Sequence, residues 1–111
     1  MPITHALMER IDVGIEWANE NIPDWREHVD PKTVNIQWGS TCFLGQYWNS
    51  KHNPLDLDND ETGYCDALFA FFDGDIERTE LLGFAYQWTM SVSMKELNEA
   101  WQLKFRELGL L

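Results

Sequence analysis

The segment Asp56-Leu57-Asp58-Asn59-Asp60-Glu61-Thr62-Gly63 places acids at alternate positions, the spacing with which a D-x-D-x-D loop begins to wrap a calcium ion. The pattern then breaks twice. Its sixth position is Glu61, where the turn needs glycine, and its twelfth is Ala67, where a bidentate glutamate is needed. Asp56, Asp58, Asp60 and Glu61 therefore read as an exposed acidic loop and as candidate partner contacts, and no metal or other cofactor is expected. Cys42, Cys65 and His52 are the other residues with reactive side chains, but they lack the paired ligand spacing of zinc sites. Cys42 sits among apolar neighbours and Cys65 opens an apolar run, so small core residues are the simpler reading. Only a fold could bring Cys42 or Cys65 to His52, and a small enzyme or ligand-binding domain built on such a pair stands as an alternative. His5 and His28 have no regularly spaced partners and read as surface residues. No glycine-rich phosphate loop is present.

A second pattern concerns binding rather than catalysis. Glu9, Asp12, Glu16 and Glu20 recur every three or four residues, which puts carboxylates roughly 5–6 Å apart along one side of a helix. Like charges at that spacing repel by a few tenths of a kcal/mol each. The plain reading is a water-facing side. The sharper one joins this stripe to the 56–61 loop and to Asp73, Asp75, Glu77 and Glu80 as a negative surface offered to a basic partner. Nine of the fifteen aromatic residues are Trp or Tyr, more than a small core hides easily. Trp17, Trp25 and Trp48 are the expected surface anchors, of the kind that dominates protein interfaces.

Charge and length narrow the classes. The 111 residues carry a net charge of −11, with a charge of −8 concentrated between residues 56 and 80. Such a chain is not expected to bind nucleic acid or an anionic membrane directly, because both need Lys and Arg against phosphate. The longest apolar run, Ala67 to Phe72, is far short of the roughly 18 residues of a membrane span. No basic and then apolar leader opens the sequence, and two cysteines do not make a disulfide framework, so a reduced cytoplasmic setting is expected. At this length a single domain, 1–111, is the natural expectation.

These residues must be positioned by helices. Leu7, Ile11, Ile15, Ala18 and Ile22 make an apolar stripe over residues 4–22, a helix that Thr4 can cap and Pro23 ends. Gly14 inside it suggests a close packing neighbour. A short turn over 23–33 follows. Ser40 or Thr41 can cap a helix running to about Asn49. Residues 63–73 are apolar nearly all round and read as a central buried helix ended by Gly74. Asp75 can cap a further turn as far as Leu82. Ser93 and Glu96 have capping-box spacing, and Leu97, Ala100, Trp101, Phe105 and Leu108 form the inner face of the last helix. Two stretches alternate with period two: Val34, Ile36, Trp38 and Phe84, Tyr86, Trp88. The expected fold is therefore mostly α (α+β): a compact helical domain with a short two-stranded antiparallel ribbon pairing 34–38 with 84–88.

The order Pro23-Asp24-Trp25, Val29-Asp30, Thr33, Ile36 and Cys42-Phe43-Leu44-Gly45-Gln46, followed by Gly83-Phe84 and by Leu97 with Trp101, resembles a family of small uncharacterised proteins of actinobacteria and their phages with a P-x-W…VD…T…C-x-LGQ pattern. The acidic 56–61 loop is outside that pattern. The resemblance implies an origin, a phage or prophage gene acting in a bacterial cytoplasm, and assigns no activity, cofactor or site. Together these readings lead us to expect a small acidic non-enzymatic protein. It would bind a host bacterial protein, one with a basic nucleic-acid-binding surface included, as a mimic or inhibitor. A structural role through self-association into a homo-oligomer is the other non-enzymatic alternative.

Overall fold

A computed structural model describes residues 5–38, 41–52, 63–85 and 93–111. Six helices account for the regular structure: α1 (His5–Asn21), α2 (Trp25–His28), α3 (Phe43–His52), α4 (Gly63–Phe72), α5 (Ile76–Leu81) and α6 (Met94–Glu107). No described helix is long and apolar enough to cross a membrane.

The best-forecast elements are those whose signals are local. Leu7, Ile11, Ile15 and Ala18 of α1 and Ile22 just past its end are buried, as are Leu97, Ala100, Trp101 and Phe105 of α6, while Leu108, just past the end of α6, is half-buried. Ser93 and Glu96 close the capping box in both directions, and Asp75 caps α5 by accepting from the Arg78 N–H at 3.2 Å. The cap of α3 is a different residue from the one expected. Thr41 turns its hydroxyl to the Asn35 carbonyl, and the Cys42 thiol instead accepts from the Gly45 N–H at 3.2 Å.

The expected two-stranded ribbon is overturned. Residues 34–38 run through irregular chain into a turn at 36–37, and their backbone groups bond elsewhere than to a neighbouring strand. The Asn35 N–H goes to the Thr41 carbonyl, and the Trp38 carbonyl accepts from both Thr41 and Cys42. The Ile36 N–H is taken by the side chain of Asn98 on α6 at 2.8 Å. At the other expected strand, the Phe84 N–H is used by the Thr79 carbonyl at the end of α5, and residues 86–88 lie outside the described residues. The alternation in 34–38 records only that Val34 and Ile36 turn inward while Trp38 turns out.

The core is a stack of rings. Phe43 lies 5.1 Å from Trp25, 5.0 Å from Phe84 and 5.1 Å from Trp101, and Trp101 continues to Phe105 at 5.5 Å. These five rings are fully buried. Each burial contributes on the order of 2–3 kcal/mol of transfer free energy. The indole N–H of Trp101 donates to the Gly83 carbonyl at 2.7 Å and that of Trp25 to the Asn19 side chain at 2.9 Å, so both indoles bury without an orphaned donor. Around this stack α1 packs on α6 and α3 on α4. Two glycines set the approach. A Cβ on Gly14 would lie 2.1 Å from the Leu82 carbonyl oxygen, so α1 meets the end of α5 backbone to backbone. A Cβ on Gly63 would lie within 2.7 Å of the amide of the buried Asn49, which locks the start of α4 to α3.

Candidate functional site

The acidic stripe on α1 is exposed at all four positions, and its members differ in what they meet. Asp12 pairs with Lys104 of α6, which also reaches Glu107 at 2.9 Å, so this acid ties α1 to α6. Glu16 and Glu20 make no ion pair with any described residue. Of the expected anchors, Trp17 is half-buried, stacked on Phe72 at 4.7 Å and edge-on to Phe71 and Phe84 at 5.7 Å each. Trp48 is half-buried, with His52 against it at 4.0 Å. Trp25 is not a surface anchor: it is fully buried, because α2 turns its indole into the ring stack against Phe43. Asp56, Asp58, Asp60 and Glu61 lie outside the described residues.

The helix expected to be buried on every side is open on one. Phe69 of α4 is 69% exposed, and Ala70 beside it is also exposed. The reason is the turn that follows. Asp73 and Gly74 both adopt left-handed backbone, at φ 53° and 81°, and the chain doubles back with the Gly74 N–H on the Leu68 carbonyl and the Asp75 N–H on the Phe72 carbonyl. The Phe69 ring lies over Gly74, where a Cβ would sit 3.1 Å from its Cε1. Between this turn and α1 is a depression of about 370 Å³ walled by Trp17, Phe69, Phe71 and Phe72 and edged by Asp73, Asp75 and Arg78. Asp73 and the Arg78 guanidinium make no hydrogen bond or ion pair with any described residue. Phe69 is the functional candidate that sequence reasoning missed, since an all-apolar run carries no signal for which side stays uncovered.

A second polar group forms where α2 meets α3. The Tyr47 hydroxyl donates to Asp24 Oδ1 at 2.7 Å, and Lys51 Nζ lies 3.2 Å from both Asp24 Oδ2 and the Tyr47 oxygen. The Tyr47 hydrogen bond, with Lys51 behind it, holds the Asp24 carboxyl below its usual range. Burial first, then Asp24, pushes the Tyr47 phenol up, and contact with Tyr47 and Asp24 pushes Lys51 up. His28, read from sequence as an unpartnered surface residue, sits inside this group. Its Nδ1 is 2.8 Å from Ser50 Oγ, its Nε2 3.4 Å from Asp24 Oδ2, and its ring stands edge-on to Tyr47.

The order Ser50, His28, Asp24 is that of an activated nucleophile, yet Asp24 is not dedicated to the imidazole; its short bonds go to Tyr47 and Lys51. Ligand atoms of Asp24, Glu27 and His28 also lie within 4.8 Å of one another, and the Lys51 ammonium already balances the Asp24 charge there. The arrangement serves as a clamp between two helices.

Asp30, Thr33 and Gln46, three of the residues quoted for the resemblance, fasten the chain next to this corner. Gln46 accepts from the Asp30 N–H at 2.7 Å and donates to the Thr41 carbonyl at 2.9 Å and the Thr33 hydroxyl at 3.2 Å, fastening the 30–33 turn to α3.

The cysteine–histidine alternatives find little support in the geometry. Cys42 is buried, and desolvation pushes its thiol up to about 12, far from a thiolate at neutral pH. Cys65 is exposed on the outer side of α4, not the core residue expected. His52 is exposed and packed on Trp48. Among the described residues, Cys42, Cys65 and His52 form no group of ligand atoms close enough to share a metal. The chain matches no known protein-family model, no curated protein and no solved structure.

Proposed function

We propose that the protein is a small non-enzymatic phage or prophage product that binds a basic host bacterial protein in the cytoplasm through an acidic and aromatic surface. The observation that carries this reading is Phe69, 69% exposed beside Trp17, Asp73 and Asp75. Among the described residues Phe69 is the most exposed large hydrophobic side chain, and it shares one depression with Trp17, so an aromatic patch rather than a single stray ring is open to a partner. Glu16, the residue before Trp17, and Glu20, about one turn after it, are both exposed and extend the negative surface. Origin and compartment rest on the sequence resemblance.

A nucleic-acid mimic is the sharper version, in which the carboxylates stand where phosphates would lie in a basic groove. The test is a pull-down from bacterial lysate with wild-type bait beside a Glu16→Gln/Glu20→Gln/Phe69→Ala bait. The reading expects a nucleic-acid-binding protein retained by the first, lost by the second, and released by a few hundred millimolar salt, since exposed charges are screened over roughly 10 Å at 0.1 M. Partners that ignore both the substitutions and the salt would sink it. Light scattering of the purified chain covers self-association, the remaining way to bury Phe69.

A further inference from the structure

We propose that the depression between α1 and the α4–α5 turn is a subsite for one cationic side-chain head, a guanidinium or an ammonium, from the basic partner. This deepens the function proposed above and rests on it. Trp17, Phe69, Phe71 and Phe72 line one hollow of about 370 Å³; Trp17 and Phe72 stack on each other, so the exposed Phe69 ring is the one most open to a cation, which an aromatic face attracts through its negative quadrupole. Asp73 and Asp75 stand at its edge and supply full charges. Asp75 uses one oxygen, Oδ1, to cap α5, which leaves the other available, and Asp73 is held there by the left-handed turn with its carboxylate unpaired among the described residues. Aromatic walls with carboxylates at the lip are the arrangement that selects a cation over an apolar side chain.

Arg78 is the informative residue. It lines the same hollow, and its guanidinium makes no hydrogen bond or ion pair with any described residue. The chain thus keeps a cation of its own next to the place where a partner's cation would enter. If the hollow takes a cation, Arg78 competes with it, and removing Arg78 strengthens binding. If the hollow instead took a carboxylate, Arg78 would be its anchor, and removal would weaken binding. The two occupants are separated by the sign of one substitution.

The experiment is a titration, followed by the indole N–H resonances, of the whole protein with a twelve-residue Arg/Ser peptide and with the same peptide carrying citrulline at each Arg. The variants are Phe69→Ala, Asp73→Asn and Arg78→Gln. The expected result is binding of the Arg peptide alone, weakened about tenfold by Phe69→Ala and several-fold by Asp73→Asn, and tightened several-fold by Arg78→Gln. Phe69 and Arg78 are exposed, so their variants fold. If the Arg peptide binds but Phe69→Ala and Arg78→Gln leave its affinity unchanged, the subsite is refuted while the acidic-surface reading stands. If Arg78→Gln weakens binding, the occupant is an anion and the proposal is wrong. If no basic peptide binds even at low salt, both fall together.

Discussion

The α2–α3 corner and the α1–α4–α5 depression each set carboxylates beside aromatic rings, yet the two regions differ in what the charges have left to do. In the corner, Asp24 is bonded to Tyr47 and paired with Lys51, His28 is bonded to Ser50, and Trp25 behind them is sealed in the core. In the depression, the Asp73 carboxylate and the Arg78 guanidinium meet no described partner and Phe69 faces water. Polar groups whose partners lie within the chain hold the chain together; those without are free to hold something else. A conspicuous cluster of reactive residue types is therefore the weaker functional signal here, and an uncovered phenyl ring the stronger one.

That contrast makes stability and binding separable, and four substitutions test it. Trp25→Ala should be the most damaging, at about 3–5 kcal/mol of unfolding free energy by denaturant titration, because it empties one end of the ring stack, against Phe43. Gly14→Ala comes next. The new methyl meets the Leu82 carbonyl, an overpacking of about 3 kcal/mol, offset by about 1 kcal/mol of helix propensity. It also shifts the wall bearing Trp17, so it should impair peptide binding, the one case in which the two regions' roles mix.

Tyr47→Phe should cost about 1 kcal/mol, the worth of a charge-assisted hydrogen bond discounted for the partial exposure of Asp24. Its pH dependence has a definite sign. The folded carboxyl titrates below the ordinary value of 3.8, so its contribution is full above that value and is lost as pH falls through the lower folded one. The gap between wild type and Tyr47→Phe should stay constant down to about pH 5 and close below 3.8. Phe69→Ala should be the mildest, within about 0.5 kcal/mol, since the ring is mostly in water. A Phe69→Ala cost near that of Trp25→Ala would erase the distinction between the regions.

The sequence carried the parts of the fold that are written locally. The stripe on α1, the capping box before α6 and the Asp75 cap all depend on residues within a turn or two of one another, and a glycine inside the α1 stripe flagged a close neighbour without naming Leu82. The failures depend on long-range partners. Val34, Ile36 and Trp38 alternate as a strand would, but Asn98, 62 residues away, takes the Ile36 N–H and leaves no ladder to build. Nothing near Trp25 distinguishes it from Trp17, and only the direction of α2 sends one inward. Of the candidate site, the acids of α1 were readable from spacing, and Trp17 only as one of three indoles that a small core was not expected to hide. Phe69 was not, because its exposure follows from what α4 fails to meet, and His28 found Ser50 across 22 positions.

The two thiols turn the molecule into its own clock. Cys65 stands in water, whereas Cys42 is enclosed as the cap of α3. An alkylating reagent should modify the first at once and the second only when α3 comes away from its neighbours. Mass spectrometry of the once- and twice-modified chain would then time that opening directly, with the fast site as the internal reference for reagent strength.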